Sequence, residues 1–190
     1  MRVITGLARG RRLETLPGEV TRPTSEKVKE SLFSAIQFDI EGRRVLDLFA
    51  GSGQLGIEAL SRGASGCVFV DKNTEAVKII RQNLQHTGLS AAAQVLGTDA
   101  LTYLTRPGDR FDLVFLDPPY ALGVIPKVLA RLQSDRLLEA GARIVCESAA
   151  EEDVFGGDEE LRNSFEILRT ARYGAAFVTI LAPKSGEVEA

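Results

Sequence analysis

Strand and helix signals that alternate five times from residue 44 onward predict a doubly wound α/β fold on a mostly parallel sheet. Two further observations sharpen this. The run D-L-V-F-L at Asp112–Leu116 is apolar without alternation, as in strands buried on both faces. Near the end, Phe165–Thr170 and Ala175–Leu181 are β-rich and are joined only around Tyr173-Gly174. That link is too tight for a helical crossover, so the last strand must be antiparallel. Seven strands are expected in all.

In chain order, residues 2–16 place Val3, Leu7, Leu13 and Leu16 among Arg, Thr and Gly, with glycines at 6 and 10. This pattern predicts a short, irregular β-hairpin. Thr21-Arg22-Pro23-Thr24 reads as a turn, with Thr24 or Ser25 able to cap a helix. Val28, Leu32, Phe33 and Ile36 fall at helical spacing, which sets that helix over 25–37. A strand over Arg44–Phe49 runs into a glycine loop and then a helix at Leu55–Arg62. Gly66–Val70 is a strand that ends at Asp71. The helix over 74–87 carries Ala76, Val77, Ile80 and Leu84 on one face. Gln94–Gly97 is a short strand followed by a brief helix at 100–105. After Asp112–Leu116 come a helix at 124–132 and a strand at Arg143–Cys146. The acids between 151 and 160 (Glu151, Glu152, Asp153, Asp158, Glu159, Glu160) read as a solvated loop.

Composition excludes several classes. At 190 residues, 44% hydrophobic and 26% charged, with a mean hydropathy of zero, the chain is a soluble globular protein of one core. No apolar run approaches the ~20 residues that span a bilayer. No signal segment is read at the start. Cys67 and Cys146 lie in apolar runs, which suggests buried free thiols in a reducing compartment, so the cytoplasm is expected. One histidine, His86, makes a His-based triad or zinc site untenable and fits a helix end on the surface. Net charge is −3, yet residues 1–13 carry Arg2, Arg9, Arg11 and Arg12 without an acid, leaving −7 for the remainder. A basic arm on an acidic body suits a polyanion docked at one place. A merely solvated arm is the plainer alternative.

The chemistry-bearing motifs lie at strand ends, where open α/β sheets bind ligands. Gly51-Ser52-Gly53-Gln54-Leu55-Gly56 follows the first strand and matches G-x-G-x-x-G, and Asp71 stands 20 residues after Gly51. Glycine lets the backbone approach a ligand, and a carboxylate at the second strand's end can accept two ribose hydroxyls. These residues indicate a nucleotide without choosing between NAD and S-adenosylmethionine; a glycine turn packing helix on strand is the alternative. Asp117-Pro118-Pro119-Tyr120 tips the choice. Two prolines end the ladder and remove N–H donors, leaving acceptors beside a carboxylate and an aromatic ring. That corner fits an exocyclic amine on a flat base, with Asp117 and the Pro118 carbonyl accepting N–H and Tyr120 stacking. Ser52 lies in G-S-G, outside the nucleophile elbow, so a hydrolase is not expected.

D-L-F-A-G-S-G (47–53), V-D-K-N (70–73), G-T-D-A (97–100) and D-P-P-Y (117–120) resemble the ordered motifs of class I S-adenosylmethionine-dependent amino-methyltransferases. R-V-I-T-G-L-A-R-G-R-R-L (2–13) and T-R-P-T-S-E-K-V-K-E-S-L-F (21–33) resemble one family, RsmD, bacterial enzymes that modify the N2 amine of a guanine in 16S ribosomal RNA. The resemblance implies a Rossmann-like class I methyltransferase domain over 21–190, with a basic hairpin extension over 1–20, one domain overall. It implies that Asp47, Phe49 and Gly51–Gly53, with Ser52 among them, shape the cofactor pocket. Asp71 would hold the ribose, with Lys72 and Asn73 beside the adenine, and Asp99 and Ala100 would meet the adenine ring. Asp117, Pro118 and Tyr120 would receive the guanine, and Arg2, Arg9, Arg11, Arg12 and Arg22 would grip RNA. S-adenosylmethionine is the implied cofactor, with S-adenosylhomocysteine as product and no metal. The implied partner is 16S RNA, alone or within a partly assembled small subunit, and the implied state a monomer. Rival readings are a DNA adenine-N6 methyltransferase, an NAD-dependent oxidoreductase and a catalytically silent RNA-binding module.

Overall fold

The computed structural model describes residues 1–16 and 23–184. Arg22 and the turn at 21–22 lie outside the described residues, as do the side chains of the expected caps Thr24 and Ser25. Helix α1 (Pro23–Ala35) precedes β1 (Arg44–Asp47), α2 (Gln54–Ser61), β2 (Gly66–Asp71), α3 (Thr74–Thr87) and β3 (Ala93–Gly97). The chain continues through α4 (Ala100–Leu104), β4 (Phe111–Leu116), α5 (Ile125–Ser134), β5 (Leu138–Ser148), α6 (Glu159–Asn163), β6 (Phe165–Tyr173) and β7 (Ala176–Pro183). The seven strands form one sheet in the order β3-β2-β1-β4-β5-β7-β6. Strands β1 to β5 pair in parallel, and β7 runs antiparallel to both β5 and β6.

Two apolar clusters cover the two faces of the sheet. The first joins α1, α2 and α3 to the sheet through Phe33, Ile36, Ile57, Ile80 and Phe115. The second joins α4 and α5 through Leu104, Val128, Leu132, Phe111 and Ile144. The helical spacing read in α3 is the buried face, because Ala76, Val77, Ile80 and Leu84 all leave solvent. Cys67 and Cys146 are buried and unbridged. No helix among the described residues is long and apolar enough to cross a membrane.

Two expectations need correction. Strand β5 begins at Leu138, five residues before the Arg143 start read from sequence, with a register shift opposite Phe111 and Leu113. The stretch L-E-A-G-A has little β-propensity by itself; pairing with its neighbour overrides it. The acidic stretch is not simply a solvated loop. Glu151–Val154 forms a 3-10 turn, and α6 follows with Asp158 accepting the Leu161 N–H at 2.9 Å. Its exposed acids therefore ride on a backbone anchored by buried Val154, Phe155 and Leu161.

The N-terminal segment closes as an irregular hairpin with one antiparallel bridge, Arg2 to Arg12. Val3, Ala8 and Leu13 point into the first cluster. A buried ion cluster fixes it in place. Glu58 on α2 is wholly buried and accepts the backbone N–H groups of Ile4 and Thr5 at 2.8 and 3.0 Å. It also pairs with Lys29 of α1 at 3.4 Å and with Arg62 at 2.8 Å. Lys29 donates to the Arg2 carbonyl at 2.7 Å, while burial lowers its ammonium pKa despite the Glu58 carboxylate. Ser61 completes the clasp, accepting from Ala8 N–H and donating to the Thr5 carbonyl.

Candidate active site

The strand order reverses between β1 and β4, and the loops leaving the carboxyl ends of β1 to β4 surround a cleft of about 700 Å³. This is where open α/β sheets take their ligands, and the volume suits a nucleoside-sized molecule. Phe49 and Gly51 come from the loop after β1, and Asp71, Lys72 and Asn73 from the end of β2. Asp99 and Ala100 enter from the β3–α4 junction, and Asp117, Pro118 and Tyr120 from the turn after β4. Residues separated by up to 108 positions, Leu16 and Val124, thus meet in one cleft.

Asp47, Ser52 and Gly53 lie beneath this wall rather than in it. Asp47 is buried and accepts the Gly56 N–H at 3.0 Å. Burial pushes its carboxyl up to about 7, with the Gly56 N–H opposing and the Asp71 charge adding. Gly53 caps α2 at φ 78°, a left-handed conformation, and a Cβ there would press on Ile57 and Ile80 at 3.3 Å. The Ser52 carbonyl accepts from Asn83 Nδ2 at 2.9 Å. The glycine loop is therefore shaped from below, and Gly51 is the member that faces the cleft.

Asp71 is tied on both oxygens. Oδ2 accepts the Gly51 N–H at 2.9 Å and Oδ1 the Asn73 N–H at 2.8 Å. A carboxylate offers about four acceptor positions, so a pair of hydroxyls can still be received. Asn73 accepts from Glu75 N–H to cap α3, and Asp99 accepts from Thr102 N–H at 3.1 Å to cap α4. Each helix thus starts at the cleft on a polar side chain.

In the D-P-P-Y turn, Pro118 is buried and Asp117 half-buried. Leu122 N–H closes the following 3-10 turn onto the Pro119 carbonyl at 3.0 Å. The Tyr120 ring is half exposed to the cleft, and its hydroxyl donates to Glu147 Oε1 at 2.8 Å. Partial burial and the Glu147 carboxylate raise the phenol above its ordinary pKa.

Among the arginines, Arg2, Arg9, Arg11 and Arg12 are all exposed on the hairpin. Arg2 pairs with Glu26 at 3.4 Å, and Arg11 donates to the His86 carbonyl at the end of α3. His86 is a surface residue. Beyond the arginines, Glu14 exchanges two backbone hydrogen bonds with the Asn83 amide, and Leu16 joins the cleft wall. The basic arm thus leads onto the rim of the cleft.

Sequence reading missed Glu58, Asn83 and Glu147. Glu58 and Asn83 are polar residues inside otherwise apolar helix faces, a pattern that signals a buried polar network. Glu147 directly follows the strand read to end at Cys146, so the strand-end rule that selected Asp117 would have selected it as well.

The sheet order, the antiparallel last strand and the cleft at the switch point define a Rossmann-like class I methyltransferase fold. The chain belongs to the RsmD family: the family profile described as Conserved hypothetical protein 95 matches residues 1–182. It is 40% identical over 183 residues to the proposed rRNA methyltransferase YlbH of Bacillus subtilis, covering 95% of this chain and 97% of that one. It is 38% identical over 151 residues to ribosomal RNA small subunit methyltransferase D of Haemophilus influenzae, covering 78% of each. Among solved structures, yhhF of Escherichia coli, a proposed methyltransferase, superposes with a TM-score of 0.84 at 29% identity, covering 97% of this chain and 98% of that one. SMU.776, a proposed methyltransferase solved with S-adenosylhomocysteine, shares the fold at a TM-score of 0.67 and 16% identity, covering 83% of this chain and 49% of that one.

Proposed function

We propose that this protein uses S-adenosylmethionine to methylate the exocyclic N2 amine of a guanine in 16S ribosomal RNA. One observation carries the reading: a single cleft has the strand-end carboxylate Asp71 on one wall and the turn Asp117-Pro118-Pro119-Tyr120 on another. Relatives named as small-subunit rRNA methyltransferases supply the substrate class. The cleft's glycine wall and acceptor groups fit the cofactor. Asp71 would receive the ribose hydroxyls, Lys72 and Asn73 would border the adenine, and Asp99 and Ala100 would meet its amine and ring. S-adenosylmethionine supplies an electrophilic methyl on a positively charged sulfur and leaves as S-adenosylhomocysteine.

Asp117 and the Pro118 carbonyl accept the two N2 hydrogens, which turns the nitrogen lone pair out of the guanine ring system. Tyr120 stacks on the base and fixes its plane. S-adenosylmethionine held there would supply the methyl group to this lone pair and keep the carbon–sulfur electron pair as S-adenosylhomocysteine, and the methylated nitrogen would release one proton to water. Catalysis is then positioning plus the Asp117 charge, which gains value as the nitrogen becomes positive. Arg9, Arg11 and Arg12, with Arg2 and Arg22, would hold RNA phosphates, on naked RNA or a partly assembled subunit. The protein would act as a cytoplasmic monomer without a metal.

Mass mapping of ribosomal nucleosides from cells with and without this protein tests the reading. One N2-methylguanine should disappear from 16S RNA on deletion and return on complementation. Loss of an N6-methyladenine instead would move the assignment to adenine. Calorimetric binding of NAD in place of S-adenosylhomocysteine would remove the methyltransferase reading altogether.

A further inference from the structure

Leu116 of β4 pairs in parallel register with Cys146 of β5, so the next residues, Asp117 just past the end of β4 and Glu147 next to last in β5, stand side by side. Neighbouring strands stand about 4.8 Å apart, so the Glu147 carboxylate stands beside the corner of the cleft that Asp117 and Tyr120 line. Tyr120 joins them, since its hydroxyl donates to Glu147 at 2.8 Å and also lies within reach of the Asp117 charge. One phenol occupies a single acceptor position of a carboxylate that has about four. Glu147 is half-buried, a costly place for a charge whose sole task is to anchor a ring.

Guanine presents two kinds of donor on neighbouring atoms of one edge, the N2 amine and the ring N1–H. Adenine presents an amine beside a bare N1 lone pair. We infer that Glu147 is a specificity-determining residue whose carboxylate accepts the N1–H of the target guanine while Asp117 accepts from its N2 amine. An adenine in the same place sets its N1 lone pair against a carboxylate, with no donor to compensate. The inference rests on the guanine reading above and adds the residue that enforces it.

The probe is 2-aminopurine, which keeps the exocyclic amine at C2 but has no hydrogen on N1. It is placed in the RNA at the guanine identified by the nucleoside mapping, in whichever form, naked or assembled, the wild-type protein methylates. Wild type should prefer guanine over 2-aminopurine by at least about tenfold in single-turnover rate. Glu147→Gln, whose amide can donate or accept, should slow guanine methylation about 10- to 100-fold and bring the two bases within a factor of about three. S-adenosylhomocysteine affinity and melting temperature should stay at wild-type values. Glu147→Asp should keep the preference at a reduced rate, and it carries the test if the Gln variant fails to fold. Tyr120→Phe should slow both bases and keep their ratio. Equal rates on both bases in wild type, or a Gln variant that retains the preference, overturns the inference while leaving the methyltransferase reading intact. A Tyr120→Phe enzyme that loses the preference also overturns it, by reducing Glu147 to a ring anchor. A wild-type protein that methylates no guanine removes the parent reading and this one with it.

Discussion

In the proposed mechanism, Asp117 is the residue at which binding and chemistry separate. It borders the cleft at the end of β4, away from the Asp71 wall. Asp117→Ala should cut the single-turnover methylation rate about 10²–10³-fold, the usual loss for one positioned electrostatic group. Asp117→Asn should fall between, because an amide oxygen accepts without a full charge. Cofactor affinity and melting temperature should hold in both, and a folded, cofactor-binding Ala variant with near-normal transfer would refute the role. Asp47 makes a prediction in pH. Its folded carboxyl is raised to about 7 by burial, above an ordinary value of 3.8. The folded state therefore holds the proton more tightly than the unfolded chain across that window. The stability this gives is complete below about pH 4 and is lost as pH rises through about 7. Asp47→Asn, which cannot ionise, should lose that decline. Denaturant unfolding of both proteins from pH 5 to 8 checks this, and parallel curves would show that Asp47 does not titrate as stated.

At the scale of elements, the hairpin is the part whose role charge alone left ambiguous. Gly6 explains how it docks. At φ 85°, it sits where a Cβ would fall 1.7 Å from the Ser61 carbonyl oxygen, so only glycine lets the hairpin reach α2. Docked in this way, the arm carries Arg9, Arg11 and Arg12 on its outer side, and its trailing residue Leu16 lines the cleft. Replacing the three arginines with Gln should lower the salt slope of RNA binding by up to about 3 units. Replacing Arg9 and Arg12 alone should lower it by about 2. Arg11 also holds the end of α3 through the His86 carbonyl, so its loss should loosen the hairpin as well. Filter binding across a salt series reads this directly, and an unchanged slope would return the arm to a solvated surface. S-adenosylhomocysteine affinity should be untouched in the variant that replaces Arg9 and Arg12 alone.

For the molecule as a whole, the Lys29–Glu58–Arg62 cluster is where three parts of the chain are joined. Glu58 meets the hairpin backbone, α1 and its own helix from a fully buried position. Glu58→Ala would leave the buried Lys29 ammonium without its counter-charge and two backbone N–H groups without their acceptor. The expected cost is about 3–5 kcal/mol, a fall in Tm of roughly 6–20 °C for a chain of this size. Because the hairpin is released as well, RNA affinity should fall more than cofactor affinity. A Tm within about 2 °C of wild type would show that the cluster contributes little. The same cluster explains why a basic segment can project from an acidic body without fraying: its root is held by buried charge and apolar packing together.

Local pattern carried much of this protein. The spacing of Val28, Leu32, Phe33 and Ile36, the unbroken D-L-V-F-L run and the short Tyr173-Gly174 link determined helix, parallel sheet and antiparallel close, because each depends on the period of the chain itself. Strand-end acids marked Asp71, Asp99 and Asp117 by the same logic, and the N-terminal signature pointed to the family. Other features were decided only when strands and helices met. The early start of β5 depends on its partner's ladder, and the order within α6 depends on Val154, Phe155 and Leu161 finding a core. The hydrogen bond from Tyr120 to Glu147, beside Asp117, depends on register between β4 and β5. The Glu58 clasp joins residues up to 54 positions apart. A buried charge is stable only beside its partners, and those partners are chosen by packing in space, which no window of sequence contains.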